Sequence, residues 1–83
     1  ATMPFQMFGY TFAAHPRVNP DGTFKDPKKY GWVVTETSSG AVAAVGDLRR
    51  DAIKNARIVL AEAGEEKTKR SIEYALDQQR RMA

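Results

Sequence analysis

The sequence predicts an α+β fold in which a small three-stranded antiparallel sheet is followed by two C-terminal helices, in the order β-β-β-α-α. Three patterns predict this fold. Apolar residues alternate in two stretches of the first half, a glycine-containing turn joins the second stretch to a third, and helical periodicity begins at residue 47. With 83 residues, the chain is expected to form a single domain.

The three strands are predicted in residues 5–13, 30–37 and 41–45. The second and third strands form a hairpin through Ser38, Ser39 and Gly40, which are residues that turns favour. The strands carry more aromatic side chains than a helix face of small residues needs. These aromatic residues are Phe5, Phe8, Tyr10, Phe12, Tyr30 and Trp32. We expect most of them to fill the core, and any that stay outside to form a dimer or partner surface.

Residues 14–29 are predicted to form a long connection, which is a binding candidate because long loops in compact domains are often functional. The stretch Asn19-Pro20-Asp21-Gly22 has the composition of a type I turn. Val18 and Phe24 flank this turn and are placed to form a very short hairpin.

The first helix is predicted over residues 47–63, with Asp47 as its N-cap and Gly64 as the left-handed residue that ends it. At 100° per residue, its apolar side chains fall within an arc of about 140°. They are Leu48, Ala52, Ile53, Ala56, Val59, Leu60 and Ala63. Because several of them are alanines, the helix can approach a sheet closely.

The second helix is predicted over residues 65–82, where charged pairs four residues apart support it. Its apolar seam is thin, so we expect it to pack along the first helix or along a copy of itself. The seam consists of Thr68, Ile72, Ala75, Leu76, Gln79 and Ala83.

The composition excludes several kinds of site. The chain has no cysteine and one histidine, so His15 is expected to be a solvated loop residue without fellow metal ligands. Ser38 and Ser39 are expected to be turn formers, and neither a phosphate-binding loop nor a dinucleotide fingerprint is present. We therefore expect a protein that is not an enzyme and uses no cofactor or metal.

The net charge is +3, a mild excess that favours an anionic partner without requiring nucleic acid. No apolar stretch is long enough to span a membrane and no signal peptide is recognisable, which predicts a cytoplasmic protein. A small core without disulfides often depends on a partner or on self-association.

Two exposed helical surfaces are predicted to bind a partner. On the first helix, Ile58 lies beside a basic row that consists of Arg50, Lys54 and Arg57. Ile58 is either an isolated apolar residue on a solvated face or the anchor of a protein contact. On the second helix, an aromatic side chain has basic neighbours and forms the single aromatic–basic cluster that the sequence indicates. The cluster consists of Tyr74, Lys67, Arg70 and Arg81. Three interpretations are open: it binds a phosphate, it binds a protein partner, or the tyrosine ring is simply covered by the aliphatic stems of its neighbours.

The stretch "GAVAAVGDLRRDAIKNARIVL", from Gly40 onward, resembles the strand-to-helix segment of HicB-like antitoxins. The residues with the matching spacing are Gly46, Asp47, Ala52, Ile53, Asn55 and Ala56, and the resemblance covers residues 30–62. It implies strands followed by a helix, and a small protein that binds and neutralises another protein, with DNA binding as a further role. The chain departs from the family in its "TETSSG" turn, in a strand that is one residue longer after Gly40, and in lacking a clear DNA-binding region.

Together these patterns predict a non-enzymatic module that inhibits or neutralises a partner protein, as antitoxins and phage-encoded inhibitors do. Two alternatives are a nucleic-acid-binding module, which would use the sheet and the basic side chains of the second helix, and an accessory subunit of a larger assembly. A homodimer is compatible with each of these functions.

Overall fold

The computed structural model describes residues 4–82, so Ala83 of the predicted helical seam lies outside the described residues. The chain folds as an α+β domain, as predicted, with one antiparallel sheet and a C-terminal helical span. In chain order the elements are β1 (Phe5–Met7), β2 (Tyr10–Pro16), α1 (Pro27–Tyr30), β3 (Trp32–Glu36), β4 (Val42–Gly46) and α2 (Arg49–Met82). The sheet has four strands in the order β1-β2-β3-β4, one more than the sequence predicts.

The additional strand arises because the predicted first strand, over residues 5–13, contains a tight turn. Phe8 (φ 57°) and Gly9 (φ 82°) both have positive φ, as the two central residues of a type I′ hairpin turn do. Met7 pairs with Tyr10 across this turn. A two-residue turn leaves the alternation of side chains unbroken, so the pattern of a single strand continues through it.

Residues that pair directly across the strands share one face of the sheet. The face that α2 covers carries Phe5, Met7, Tyr10, Phe12, Ala14, Trp32, Val34 and Ala44. The opposite face carries Gln6, Thr11, Ala13, His15, Val33, Thr35 and Val45.

Strand β4 forms one edge of the sheet and contains a β-bulge. Val34 pairs with Ala44 whereas the next residue, Thr35, pairs with Val42, so Ala43 is the extra residue of β4. The bulge accommodates one additional residue in this edge strand.

The turn from β4 into α2 is unusually close. A Cβ atom on Gly46 would lie 2.5 Å from Ala52 N and 2.9 Å from Ala52 Cα, so only glycine fits without displacing backbone. Asp47 and Leu48 form a bend, and Leu48 O accepts a hydrogen bond from Ala52 N at 3.0 Å. Leu48 therefore occupies the N-cap position, and the prediction that the helix begins with Asp47 as N-cap is wrong because two residues are needed to make the bend.

The sequence predicts two helices separated at Gly64, whereas the structure has one helical span that is kinked at that residue. Gly64 is non-helical, with φ 81° and ψ 169°. A straight helix of 34 residues would be about 50 Å long. The longest dimension of the molecule is 33 Å, so α2 bends sharply and its two segments, residues 49–63 and 65–82, point in different directions.

The second segment of α2 packs against the sheet, and not only along a helix as expected. Ile72 belongs to the core cluster, and Gln79 Nε2 donates to the carbonyl of Ser39 in the turn between β3 and β4. Of the predicted seam, Thr68 and Ile72 are buried, and Ala75 and Leu76 are half-buried. The seam prediction is therefore confirmed for these four residues.

The core is small and consists of residues from β2, β3 and both segments of α2. Its members are Phe12, Ala14, Val34, Ala52, Ala56, Leu60 and Ile72. Ala52 and Ala56 are fully buried, which confirms the predicted close approach of an alanine-rich helix face. Leu48 and Val59, which the sequence also assigns to that face, are instead about half exposed, at 49% and 45%.

Most of the aromatic side chains fill or adjoin the core, as expected. Phe12 is buried, and four others pack against the core cluster: Phe5, Phe8, Tyr10 and Trp32. Of the six aromatic residues that the sequence assigns to the strands, Tyr30 is the exception, with 46% of its surface exposed at the end of α1.

The predicted loop over residues 14–29 is shorter than expected, because β2 continues to Pro16 and α1 begins at Pro27. The predicted turn is present, since Gly22 N donates to Asn19 O at 2.9 Å. Val18 and Phe24 form the expected antiparallel bridge around it.

Candidate protein-binding surfaces

The first candidate surface is the outer face of the first α2 segment. Burial of Ala52 and Ala56 on the sheet side fixes the orientation of this segment, and periodicity then places Ile58 outward. Ile58 is 47% exposed, and the three cations of the predicted basic row are exposed as well: Arg50, Lys54 and Arg57. A rigid helix thus presents one large aliphatic side chain together with three positive charges.

Arg57 connects this surface to the edge of the sheet. Its guanidinium carbon lies 4.8 Å from the centre of the Phe5 ring in β1, a cation–π contact. The contact limits the motion of the Arg57 side chain, so one cation of the row is held in place before any partner binds.

The second candidate surface, on the second α2 segment, is exposed as predicted. Tyr74 is 67% exposed, and Lys67, Arg70 and Arg81 are exposed. Arg81 Nε lies 3.2 Å from Asp77 Oδ2 in an exposed ion pair one helical turn apart. Asp77 therefore neutralises part of the positive charge near Tyr74, and the surface carries both signs of charge.

The sequence indicates Tyr74 as the only aromatic residue among basic side chains, and this is wrong, because Tyr30 has such neighbours too. Lys25 Nζ lies 4.9 Å and Lys29 Nζ 5.5 Å from the centre of the Tyr30 ring. Arg17 Nε donates to Tyr30 O at 3.0 Å. The consecutive residues "KKY" indicate part of this cluster, but the contribution of Arg17 depends on how the chain folds back through α1.

A cleft of about 190 Å³ lies between β4 and the two segments of α2. Its walls are largely apolar: Phe12, Ala41, Val42, Ala43, Val59, Leu60, Ala63 and Ile72. Three polar residues of the second segment complete it, namely Lys67, Thr68 and Ser71. Sequence patterns give no indication of this cleft, because it is bounded by elements from three parts of the chain and opened by the kink at Gly64.

Ser38 and Ser39, which the sequence assigns to a turn, are held there by Glu36. Glu36 is buried and its carboxylate accepts hydrogen bonds from Ser38 N at 3.0 Å, Ser38 Oγ at 2.6 Å and Ser39 N at 2.9 Å. Ser39 Oγ accepts from Ala41 N at 3.1 Å. These contacts fix the turn between β3 and β4, so both serine hydroxyls serve the hairpin as expected.

Burial raises the pKa of Glu36, but the hydrogen bonds from Ser38 and Ser39 stabilise its charged form and outweigh burial. Its pKa therefore lies below the ordinary value of 4.5. The carboxylate is thus an ionised anchor of the turn at neutral pH.

His15 lies in β2 and is half-buried, so the expectation of a solvated loop histidine is wrong. Its Nδ1 lies 2.7 Å from Pro16 O, which can only accept, so Nδ1 carries the proton. In the neutral ring, Nε2 then accepts from Thr35 Oγ1 at 3.1 Å. Among residues 4–82, no group of three or more histidine, aspartate or glutamate side chains is arranged to hold a metal ion.

Comparisons with protein-family models, with curated proteins and with solved structures found no significant match. None of the helices in the described part of the chain combines the length and apolar character that crossing a membrane requires.

Proposed function

We propose that this chain is a small, non-enzymatic protein-binding module that inhibits or neutralises a partner protein, and that Ile58 is the centre of the contact. The observation that carries the proposal is the exposure of Ile58 among three exposed cations, on a helical segment whose opposite face is held against the core by the buried Ala52, Ala56 and Leu60. An apolar anchor surrounded by charged side chains is the usual arrangement of a protein contact, and arginine is enriched in such contacts.

The charge distribution indicates the chemistry of the partner. Arg49–Met82 contains nine lysines and arginines against six acidic residues, whereas the preceding residues contain four of each. The whole positive excess therefore lies on α2. We expect the partner to present an acidic surface with an apolar socket for Ile58, because complementary potentials favour association.

The resemblance to HicB-like antitoxins supports this function through the residues that carry it. Gly46 and Ala52 form the close contact between β4 and α2, and Asn55 Nδ2 donates to Val45 O at 3.0 Å. Ala56 is fully buried on the sheet. These residues build the joint between helix and sheet, and an antitoxin-like or phage-type inhibitor would use that joint to hold the outer face of α2 rigid.

The proposal is tested by identifying the partner through affinity capture from the source cells and then measuring its affinity for purified variants. Ile58→Asp should raise the dissociation constant at least tenfold, equivalent to about 1.4 kcal/mol. Ile58→Leu, the matched control, keeps the apolar anchor and should stay within a few-fold of the wild type. An unchanged affinity of Ile58→Asp would show that the contact does not include this face.

A second candidate function is nucleic-acid binding, which the Tyr30 cluster favours. The Tyr30 ring has Lys25 and Lys29 beside it, and Arg17 binds the backbone carbonyl of the same residue. Such a ring can stack on a base while the nearby cations contact phosphates. Fluorescence anisotropy with a labelled single-stranded oligonucleotide should then show affinity that falls steeply with salt and decreases in Tyr30→Ala. The absence of binding at low salt would eliminate this function.

A further inference from the structure

The cleft beside β4 contains a buried hydroxyl that the fold leaves unsatisfied. Thr68 is only 5% exposed, and its Oγ1 has no hydrogen-bond partner among the described residues. Buried hydroxyls are normally paired, so an unpaired one calls for an explanation. Thr68 lines the cleft, and threonine in a helix populates two χ1 rotamers. Rotation between them moves the hydroxyl to another staggered position about Cβ and can turn it toward an occupant of the cleft.

The size and lining of the cleft define what fits it. An apolar cavity of about 150 Å³ takes up a single benzene ring, and this cleft has about 190 Å³ with Phe12, Leu60 and Ile72 among its walls. A ring that also carries one hydroxyl would fill the apolar space and pair with Thr68. The tyrosine side chain has this chemistry, since its hydroxyl both donates and accepts.

The chain itself offers such a side chain beside the cleft. Tyr74 is 67% exposed and lies on the same side of α2 as Lys67, which lines the cleft. Four exposed residues and the half-buried Asp77 recur there at alternating intervals of three and four, which is the spacing of residues along a pairing face of a helix. They are Lys67, Arg70, Tyr74, Asp77 and Arg81.

We propose that two copies of this chain form a symmetric dimer in which the second segments of α2 pair antiparallel and Tyr74 of each copy enters the cleft of the other. Lys67 and Asp77 stand five residues before and after Ile72, and Arg70 and Tyr74 two residues before and after it. A two-fold axis level with Ile72 therefore brings Lys67 opposite Asp77 of the second copy and Arg70 opposite Tyr74. Lys67 and Asp77 carry opposite charges, so they attract each other across the interface. Each copy contributes the same residues to the contact, as a two-fold interface requires.

The surroundings of the cleft support a second copy as the occupant. Val42 and Val59 line the cleft and are 65% and 45% exposed, so its mouth is an apolar surface open to solvent. Among residues 4–82, the largest fully buried side chains are Phe12 and Val34, and three of the seven members of the core cluster are alanines. A domain with so small a core gains most from burying this surface against another chain.

The dimer is tested by measuring the molar mass of the full chain by sedimentation over micromolar to millimolar concentrations. Tyr74→Ala should raise the dimer dissociation constant at least tenfold, because both insertions are lost. Lys69→Ala, an exposed control on the same segment, should leave it unchanged. Circular dichroism verifies that each variant is folded. We expect Tyr74→Ala to be folded, because the Tyr74 side chain is exposed and contributes little to the core.

Charge exchange tests the antiparallel pairing directly. Lys67→Asp and Asp77→Lys should each weaken the dimer several-fold, and the double variant should recover most of the loss. Tyr74→Phe and Thr68→Val should each weaken it, and combining them should add little, because both remove the same hydrogen bond.

The proposal is overturned if the wild type remains monomeric at millimolar concentration, if Tyr74→Ala leaves the dimer intact, or if the charge exchange gives no recovery. A monomer whose cleft takes up p-cresol would show instead that the cleft serves a small ligand. Ile58→Asp should not change the dimer constant, so failure of the dimer and failure of the partner contact at Ile58 are distinguishable.

Discussion

Gly46→Ala should destabilise the fold strongly, although a single methyl group is added at the end of an edge strand. The φ of Gly46 lies outside the positive range that favours glycine, so alanine is conformationally acceptable there. In open space such a change usually stabilises a protein by about 0.4–1 kcal/mol, because it restricts the unfolded chain. The sign of the effect therefore depends on the surroundings of the new methyl group.

Those surroundings are backbone. The added Cβ would lie 2.5 Å from Ala52 N, 2.9 Å from Ala52 Cα and 3.0 Å from Asp51 C, and none of these atoms can rotate away. Overpacking costs about 1–3 kcal/mol, and we expect about 3 kcal/mol because β4 and the first turn of α2 must separate. For a domain of this size, each kcal/mol lowers the melting temperature by about 4–8 °C, so the expected decrease is about 12–24 °C.

Urea denaturation followed by circular dichroism and by the fluorescence of Trp32, the single tryptophan, measures this loss. Trp32 pairs with Gly46 in the sheet and so reports on the joint itself. Gly22→Ala is the matched control, because Gly22 has φ +90° with nothing within 4 Å of an added Cβ and should lose only about 1–2 kcal/mol from backbone strain.

A second-site variant tests whether the clash at position 46 is with backbone atoms of Ala52. Adding Ala52→Gly to Gly46→Ala should not restore stability, because the clash is with the N and Cα atoms that glycine also has. A melting temperature of Gly46→Ala equal to or above that of the wild type, or a rescue by Ala52→Gly, would refute the close contact between β4 and α2.

Three further predictions concern buried polar groups and the helix joint. Glu36→Gln should cost about 1–3 kcal/mol at neutral pH. Because the pKa of Glu36 is lowered in the folded state, its contribution is present above pH 4.5 and is lost as the pH falls through that lowered value; urea titrations of both proteins should therefore converge in acid. Asn55→Ala should cost about 1 kcal/mol by removing the hydrogen bond to Val45 O, with an unchanged urea dependence. Thr68→Val should raise the stability of the isolated chain by about 1 kcal/mol at a concentration where it is monomeric, because a methyl group replaces an unpaired buried hydroxyl; a loss of stability would contradict this.

The helix-to-sheet packing could be predicted from the sequence because it depends on local periodicity. Ala52 and Ala56 recur on one face, and both are fully buried. Gly64 breaks the helical pattern at the residue where α2 kinks. Such features need only the geometry of a helix and the conformational freedom of glycine, which are properties of the local sequence.

The extra strand could not be predicted in the same way. Phe8 occupies a turn position with positive φ, where asparagine, aspartate or glycine is expected, and so gives no turn signal. Its side chain packs against the core, and that tertiary contact offsets the local strain. At Asp47 the local signal is present but misleading. Aspartate is a favourable N-cap residue, yet Asp47 lies outside the helix because it is part of the bend that follows Gly46.

The exposure of Val59 follows from the width of the sheet. At 100° per residue, Val59 lies about 40° from Ala63 and about 60° from Ala56, on one margin of the apolar arc. That margin lies beside Val42 of β4, and β4 is the edge strand, so the described sheet provides nothing beyond it to cover Val59. Helical periodicity identifies the arc correctly, but how much of the arc is buried depends on how many strands lie beneath it. The uncovered margin is therefore the place where a further chain can add to the core, and the proposed contact of Tyr74 with the cleft uses this margin.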